Sequence, residues 1–113
     1  MSRRYKTLGW VTVAILLAAA SAHAGPSYGK LSGVVVDPSG TPQMGATVWV
    51  LTEGVGASNA VELLTNQRGQ FATERLLPGF YTVRVTLAGF LPAIERHVRI
   101  SSNLNTLLRI ELD

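Results

Sequence analysis

The sequence predicts an all-β protein, seven strands packed as a two-sheet sandwich behind a removable N-terminal leader. Three observations carry that expectation. From Gly25 onward, Gly, Pro, Ser, Asn and Asp recur at short intervals, the spacing of turns in a sandwich or barrel. Between them apolar and polar residues alternate, most clearly where Tyr81, Val83, Val85 and Leu87 interleave with Thr82, Arg84 and Thr86. No stretch of this region sustains the i, i+3, i+4, i+7 apolar pattern of an amphipathic helix.

The chain of 113 residues opens with a basic start, Arg3, Arg4 and Lys6, and an apolar run from Leu8 to Ala20. Ala22-His23-Ala24 then places small residues where a signal peptidase reads, so cleavage is expected after Ala24. Residues 1–24 are expected to be a signal peptide and residues 25–113 a single domain. The rival reading is an uncleaved anchor, although the run is short for a membrane span. Arg3-Arg4 hints at the twin-arginine export route, but Tyr5-Lys6-Thr7 lacks the apolar pair that usually follows. The chain has no cysteine, so neither a lipid-anchored cysteine nor a disulfide is available, and the domain relies on packing alone.

In order, Lys30 to Val36 reads as a strand with Leu31 and Val35 on one face and Gly33 between them. Asp37 to Pro42 is a turn, with Gly40 free to take positive φ and Pro42 without a ladder donor. Ala46 to Thr52 follows, Ala46, Val48 and Val50 facing inward and Thr47, Trp49 and Leu51 outward. Glu53 to Ala60, with Gly54 and Gly56, reads as a loop, and Val61 to Thr65 as the third strand. Asn66 to Gly69 turns into Gln70–Glu74; Leu76-Leu77-Pro78-Gly79 turns into Phe80–Leu87; Gly89 breaks that strand. Phe90 is expected to plug the end of the core. Ile94 to Ile100 should place Ile94, Val98 and Ile100 inward, with Glu95, His97 and Arg99 outward and Arg96 snorkelling from the apolar side of an edge strand. After a turn at Ser101 to Asn103, Thr106 to Leu112 closes the domain with Leu108, Ile110 and Leu112 inward.

The formal net charge of +3 belongs to the leader. Beyond Ala24 the basic set is Lys30, Arg68, Arg75, Arg84, Arg96, Arg99 and Arg109. The acidic set is Asp37, Glu53, Glu62, Glu74, Glu95, Glu111 and Asp113, so the two balance. Such a domain lacks the basic footprint of a nucleic-acid binder.

Chemistry is poorly provided for. Asn66-Gln67-Arg68-Gly69-Gln70 has no carboxylate and cannot be a calcium loop, so it reads as a β-turn. One histidine, His97, remains beyond the leader, which excludes a His/Cys zinc site, and a surface position suits it. No G-x-S-x-G elbow is present, and the serines fall mostly in turns. No metal, cofactor or catalytic group is expected. A Lys30–Asn105 isopeptide bond would need a buried lysine, whereas Lys30 begins a strand where exposure is the rule. Trp49 is the one residue whose position suggests a contact, since an outward tryptophan is either a platform for a partner or is covered by a loop.

The turns form a series. Gly33-Val34-Val35-Val36-Asp37, Gly40-Thr41-Pro42 and Gly45-Ala46-Thr47-Val48 are followed by Thr65-Asn66, Gly69-Gln70-Phe71, Leu77 to Val85 and Gly89-Phe90. In order and spacing this resembles the carboxypeptidase regulatory-like domain family, over about Gly29 to Leu112. The resemblance implies a Greek-key, transthyretin-like (prealbumin-like) sandwich, with structural turns at Gly33, Gly40, Pro42, Gly45, Gly69, Pro78, Gly79 and Gly89. Here Gln43-Met44 replaces the usual apolar residue and Asn66-Gln67 the usual acidic turn. Similar modules accompany metallocarboxypeptidases without their metal ligands, or occur in surface proteins and ahead of outer-membrane barrels. Transthyretin-related hydrolases share the architecture but end in Tyr-Arg-Gly-Ser, whereas this chain ends Ile110-Glu111-Leu112-Asp113. The expectation is a non-enzymatic module of the cell envelope, periplasmic or extracellular. Its partner would be another envelope or secreted protein, through an edge strand or Trp49. The alternative is a starch-binding-like module that grips a glycan with Trp49 plus Tyr28 or Phe80, and Pro92 and Arg96 would guard one edge from uncontrolled pairing.

Overall fold

The computed structural model describes residues 27–54 and 60–113. Ala22 and Ala24, the rest of the leader and loop residues 55–59 lie outside the described residues. Seven strands run in order: β1 (Gly29–Val36), β2 (Thr47–Thr52), β3 (Ala60–Leu64), β4 (Gln70–Leu76), β5 (Gly79–Thr86), β6 (Ala93–Ile100) and β7 (Asn105–Glu111). They form a three-stranded sheet, β4-β1-β7, and a four-stranded sheet, β3-β2-β5-β6. All pairings are antiparallel except β1 with β7, which run parallel from Lys30 opposite Asn105 to Val36 opposite Glu111.

The period-two pattern is what packs the sheets together. Leu31 and Val35 of β1, Phe71 of β4 and Ile110 of β7 are buried against Val48 and Val50 of β2. Tyr81, Val83 and Val85 of β5 and Val98 and Ile100 of β6 complete the inner layer. Each such aliphatic side chain contributes about 1.5–3 kcal/mol by leaving water. Phe90 packs against the end of this core, as expected.

The turns are held by their own side chains. Asp37 Oδ1 accepts from the backbone N–H of Ser39 and of Thr41, both at 2.9 Å, and Gly40 takes φ 87°. Pro42 makes an isolated bridge with Val36. Asn66 Oδ1 accepts from the N–H of Arg68 and of Gln70 at 2.9 Å each, and Gly69 takes φ 69°. Gly45, Gly79 and Gly89 also have positive φ. Leu77-Pro78 links β4 to β5, and the buried Tyr81 hydroxyl donates to the Leu77 carbonyl at 2.7 Å.

Four expectations change. Gly33 is not in a turn: it lies within β1, where a Cβ would meet the Leu108 carbonyl and the Phe71 ring at 2.6 Å, so the missing side chain makes room for Phe71 in the core. The fourth strand continues past Glu74 to Leu76, through Arg75 at φ 60°. Ile94 faces outward rather than inward: Tyr81 pairs with Val98 but Val83 with Glu95, so β6 holds one extra residue. That residue forms a bulge at His97, φ 56°, which inverts the alternation N-terminal to it and leaves Ala93 against the core. Arg96 accordingly lies exposed on the outer face beside Arg84 and Leu51 and does not snorkel from the core.

Candidate functional site

The three aromatic residues expected to make contacts are not brought together. Trp49 lies on the outer face of the four-stranded sheet, half-buried, opposite Arg84 of β5 and Glu62 of β3. Phe80 shares that face but sits four residues along β5, about 13 Å away. Tyr28 precedes β1 and belongs to the end of the other sheet. The expected platform of Trp49 with Tyr28 or Phe80 is therefore absent among the described residues, because strand register fixes these separations.

Around Phe80 the structure instead assembles Glu53, Thr82 and His97. Glu53 ends the outer row of β2, with its backbone N–H on the Phe80 carbonyl. Its Oε2 accepts from the His97 N–H at 2.8 Å and from Thr82 Oγ1 at 3.1 Å, while Oε1 lies 2.8 Å from His97 Nδ1. The His97 ring tilts against Phe80 with centroids 5.3 Å apart. The bulge turns the His97 amide away from the β5 ladder, and Glu53 supplies the acceptor it needs. A catalytic histidine must face its nucleophile, with the acid behind it. Here the acid stands between Thr82 and His97, so the set cannot activate the hydroxyl. No group of three or more His, Cys, Asp or Glu side chains among the described residues is placed to hold a metal.

The carboxyl of Glu53 is held below its ordinary 4.5, first by the His97 amide, and that of Asp37 below its ordinary 3.8, first by the Ser39 hydroxyl. A carboxylate whose pKa is lower in the folded chain stabilises the fold above its unfolded value and loses that contribution as pH falls through the folded value. The melting temperature should therefore be level above about pH 5 and decline towards pH 3. Glu53→Gln, measured by thermal melts across that range, should lessen the decline, and an unchanged slope would show that the bulge does not depend on the charge.

The other functional element is a sheet edge. Among the described residues four strands have a free side: β3, β4, β6 and β7. β3 has five residues, β4 carries the Arg75 kink and a register shift, and β6 carries the His97 bulge with Pro92 just before it. Short strands, bulges and prolines are how edges resist pairing. β7 has seven residues and an unbroken register with β1. Lys30 N–H donates to the Leu104 carbonyl and Leu112 N–H to the Val36 carbonyl, so the even-numbered residues of β7 bond β1. By the two-residue period, Leu107, Arg109 and Glu111 turn their N–H and C=O groups to the open side.

Leu107 is 74% exposed, on the outer face of the three-stranded sheet. Beside it a shallow groove of about 540 Å³ runs over Ser32, Val34, Gln70 and Ala72. Small side chains at positions 32 and 72 leave the hollow. Lys30 and Asn105 are opposite one another at the end of this face, both exposed; Lys30 Nζ lies 3.6 Å from Glu74, and Asn105 Oδ1 accepts from the Ser32 hydroxyl.

A seven-stranded sandwich with β1 parallel to β7 and small-residue turns defines a class of β-sandwich module. The chain belongs to the carboxypeptidase regulatory-like domain family, whose sequence profile matches residues 30–113. Among curated proteins none matches the sequence significantly. Solved structures with the same fold include BcpA, the major pilin subunit of Bacillus cereus, with 18% identity, TM-score 0.60, and coverage of 78% of this chain and 30% of that one. Hydroxyquinol 1,2-dioxygenase of Pseudomonas putida aligns at 9% identity and TM-score 0.61, over 80% of this chain and 58% of that one. A proposed carbohydrate-binding protein of Bacteroides uniformis aligns at 16% identity and TM-score 0.59, over 78% and 42%. The chain thus spans less than two thirds of these proteins. A pilin, an oxygenase and a glycan-related protein on one architecture show the fold and leave function to the site.

Proposed function

We propose that this chain is an exported, non-catalytic binding module of the cell envelope that captures a partner protein by adding a strand to β7. The observation that carries this reading is the open edge from Leu107 to Glu111 beside the groove at Ser32 and Ala72. In strand addition, main-chain hydrogen bonds supply affinity and alternate side chains fill pockets beside the edge. An incoming strand would bond the outward groups of Leu107, Arg109 and Glu111 and cover Leu107. The blunted edges of β4 and β6 direct pairing to this side. The basic start, apolar run and Ala22-His23-Ala24 support export of residues 25–113.

The proline variant Leu107→Pro tests the reading. It removes an outward N–H and no bond to β1, so the fold should lose no more than about 1 kcal/mol. Partner capture should fall at least about tenfold. A photo-reactive residue at position 109 of the full-length chain, expressed in its own host, should give an adduct that Leu107→Pro abolishes. An adduct at twice the chain mass identifies a second copy as strand donor. An adduct equally strong in the proline variant sinks the reading. The glycan reading keeps one support, the half-buried Trp49 in a fold shared with the Bacteroides protein. Saturable oligosaccharide binding that Trp49→Ala abolishes and Leu107→Pro spares would put it first.

A further inference from the structure

The open edge of β7 carries a charge pattern that is complementary to itself. Arg109 and Glu111 are both exposed, on the outer face of the three-stranded sheet. Across β1 they face Val34 and Val36, so the neighbouring strand offers neither an opposite charge. Arg109 reaches towards the Asp37–Pro42 turn, where its Nη2 would lie 3.7 Å from a Cβ at Gly40. The Asp37 carboxylate of that turn is already taken by Ser39 and Thr41. Among the described residues the ion pairs are Lys30 with Glu74 and His97 with Glu53, so Arg109 and Glu111 are left without a charged partner. They are also residues whose N–H and C=O groups point to the open side.

A second β7 docked antiparallel across this edge would be related to the first by a two-fold axis. Open-side residues must then face open-side residues, so that each pair exchanges both of its main-chain bonds. That condition leaves few registers. An axis through Arg109 sets the two arginines directly opposite, which is destabilising. An axis through Leu108 sets Arg109 opposite Leu107 and Glu111 opposite Asn105, and both charges stay unpaired. An axis through Leu107 joins the two leucines, but it sets Arg109 opposite Asn105 and carries Glu111 towards Asn103, which at φ 60° has left the ladder. An axis through Ile110 sets Arg109 opposite Glu111 of the other copy, and symmetry repeats the pair. Side chains so placed have Cβ atoms about 4.5–5.5 Å apart, close enough for opposite charges to attract. Leu107 then falls opposite Asp113, whose carbonyl already accepts from Leu91 N–H at 2.7 Å, so the firm part of the pairing is Arg109 to Glu111.

We propose that the strand β7 receives is the β7 of a second copy of this chain, antiparallel about an axis at Ile110. The inference rests on β7 being the binding edge and names its partner. Two three-stranded sheets would join as one, in the order β4-β1-β7-β7-β1-β4. The axis is perpendicular to the sheet, so both outer faces, each with its hollow at Ser32 and Ala72, look the same way. So short a pairing makes a small interface, and the dimer should form at micromolar rather than nanomolar concentration.

Charge reversal tests the register. Arg109→Glu leaves two acids on the edge, and Glu111→Arg leaves two bases. Each variant would set like charges opposite one another in its own dimer, whereas a one-to-one mixture restores both opposite pairs. The full-length chain, carried through export and purified, is followed by sedimentation equilibrium up to about 0.5 mM, with far-ultraviolet dichroism to check the fold. The unchanged chain should dimerise. Each variant alone should raise the dimer Kd at least about tenfold, and the mixture should return to within about threefold of the unchanged chain. An unchanged chain that stays monomeric overturns the proposal. So does undiminished self-association of either variant, or a mixture that fails to associate. A chain that stays monomeric yet gives a position-109 adduct with a different protein, abolished by Leu107→Pro, leaves strand capture standing and removes only the second copy as its partner.

Discussion

Replacing Gly69 with alanine is expected to cost about 3–4 kcal/mol, a large share of the stability of a small domain. Two separate terms contribute. At φ 69° an L side chain is strained by about 1–2 kcal/mol. A Cβ at this position would also meet the Val35 carbonyl oxygen at 2.5 Å, the Gln43 nitrogen at 3.0 Å and Pro42 Cβ at 3.1 Å. The first of these cannot yield by turning a side chain. Val35 N–H donates to the Gly69 carbonyl, and the Val35 carbonyl accepts from Gln43, so moving it opens both bonds. Gly45 is the internal control: it has φ 79°, but a methyl group there would have no neighbour within 4 Å. Gly45→Ala should therefore cost only the strain, about 1 kcal/mol. Urea unfolding of the two variants separates the terms. Equal losses would show that the contact at Gly69 relaxes freely and that backbone conformation is the whole effect.

Thr65→Val should cost about 2–4 kcal/mol even though it preserves shape. Thr65 is the buried polar residue of the core, 4% exposed. Its Oγ1 accepts from Ala46 N–H at 2.9 Å and donates to the Gln43 carbonyl at 2.7 Å. The hydroxyl thereby fastens the start of β2 to the end of β3, alongside the backbone bonds Gly45 to Thr65 and Thr65 to Ala46. Valine leaves the buried Ala46 N–H with no acceptor, and an unsatisfied buried donor costs its full desolvation. Thr65→Ser keeps the oxygen and should lose about 1 kcal/mol, for the missing methyl. If the serine and valine variants unfold at the same urea concentration, the hydroxyl has no such role.

The contrast between these two residues shows how far the sequence can be read. Gly69 stands in a turn that composition announces, Asn66-Gln67-Arg68-Gly69, and the turn is there. Its close approach to Val35 is invisible in sequence, because it depends on the Asn66–Gly69 turn meeting the end of β1, a segment distant in the chain. Thr65 carries no signal at all. A threonine at a strand end is ordinary, and only its depth and the position of Ala46 make it a clasp. Glu53 is legible merely as the start of a loop, and its acceptor role follows from a bulge 44 residues away. A bulge costs one residue of register and has no dependable sequence signature, so alternation alone puts Ile94 on the wrong face. The same kind of reason explains the aromatics. Alternation points Trp49 and Phe80 outward, but that they share one face, and how far apart they stand on it, is set by the β2–β5 pairing.

By itself the sequence determined the strand count, the turn sites, nearly all of the inward residues and the family, because period-two burial and turn chemistry are local properties that each segment carries alone. Tertiary structure alone decided that β1 lies parallel to β7 and leaves β7 open, that the bulge at His97 closes β6, and that Trp49 and Phe80 stand apart on one face. These are relations between segments distant in the chain, fixed by how two sheets close over one core.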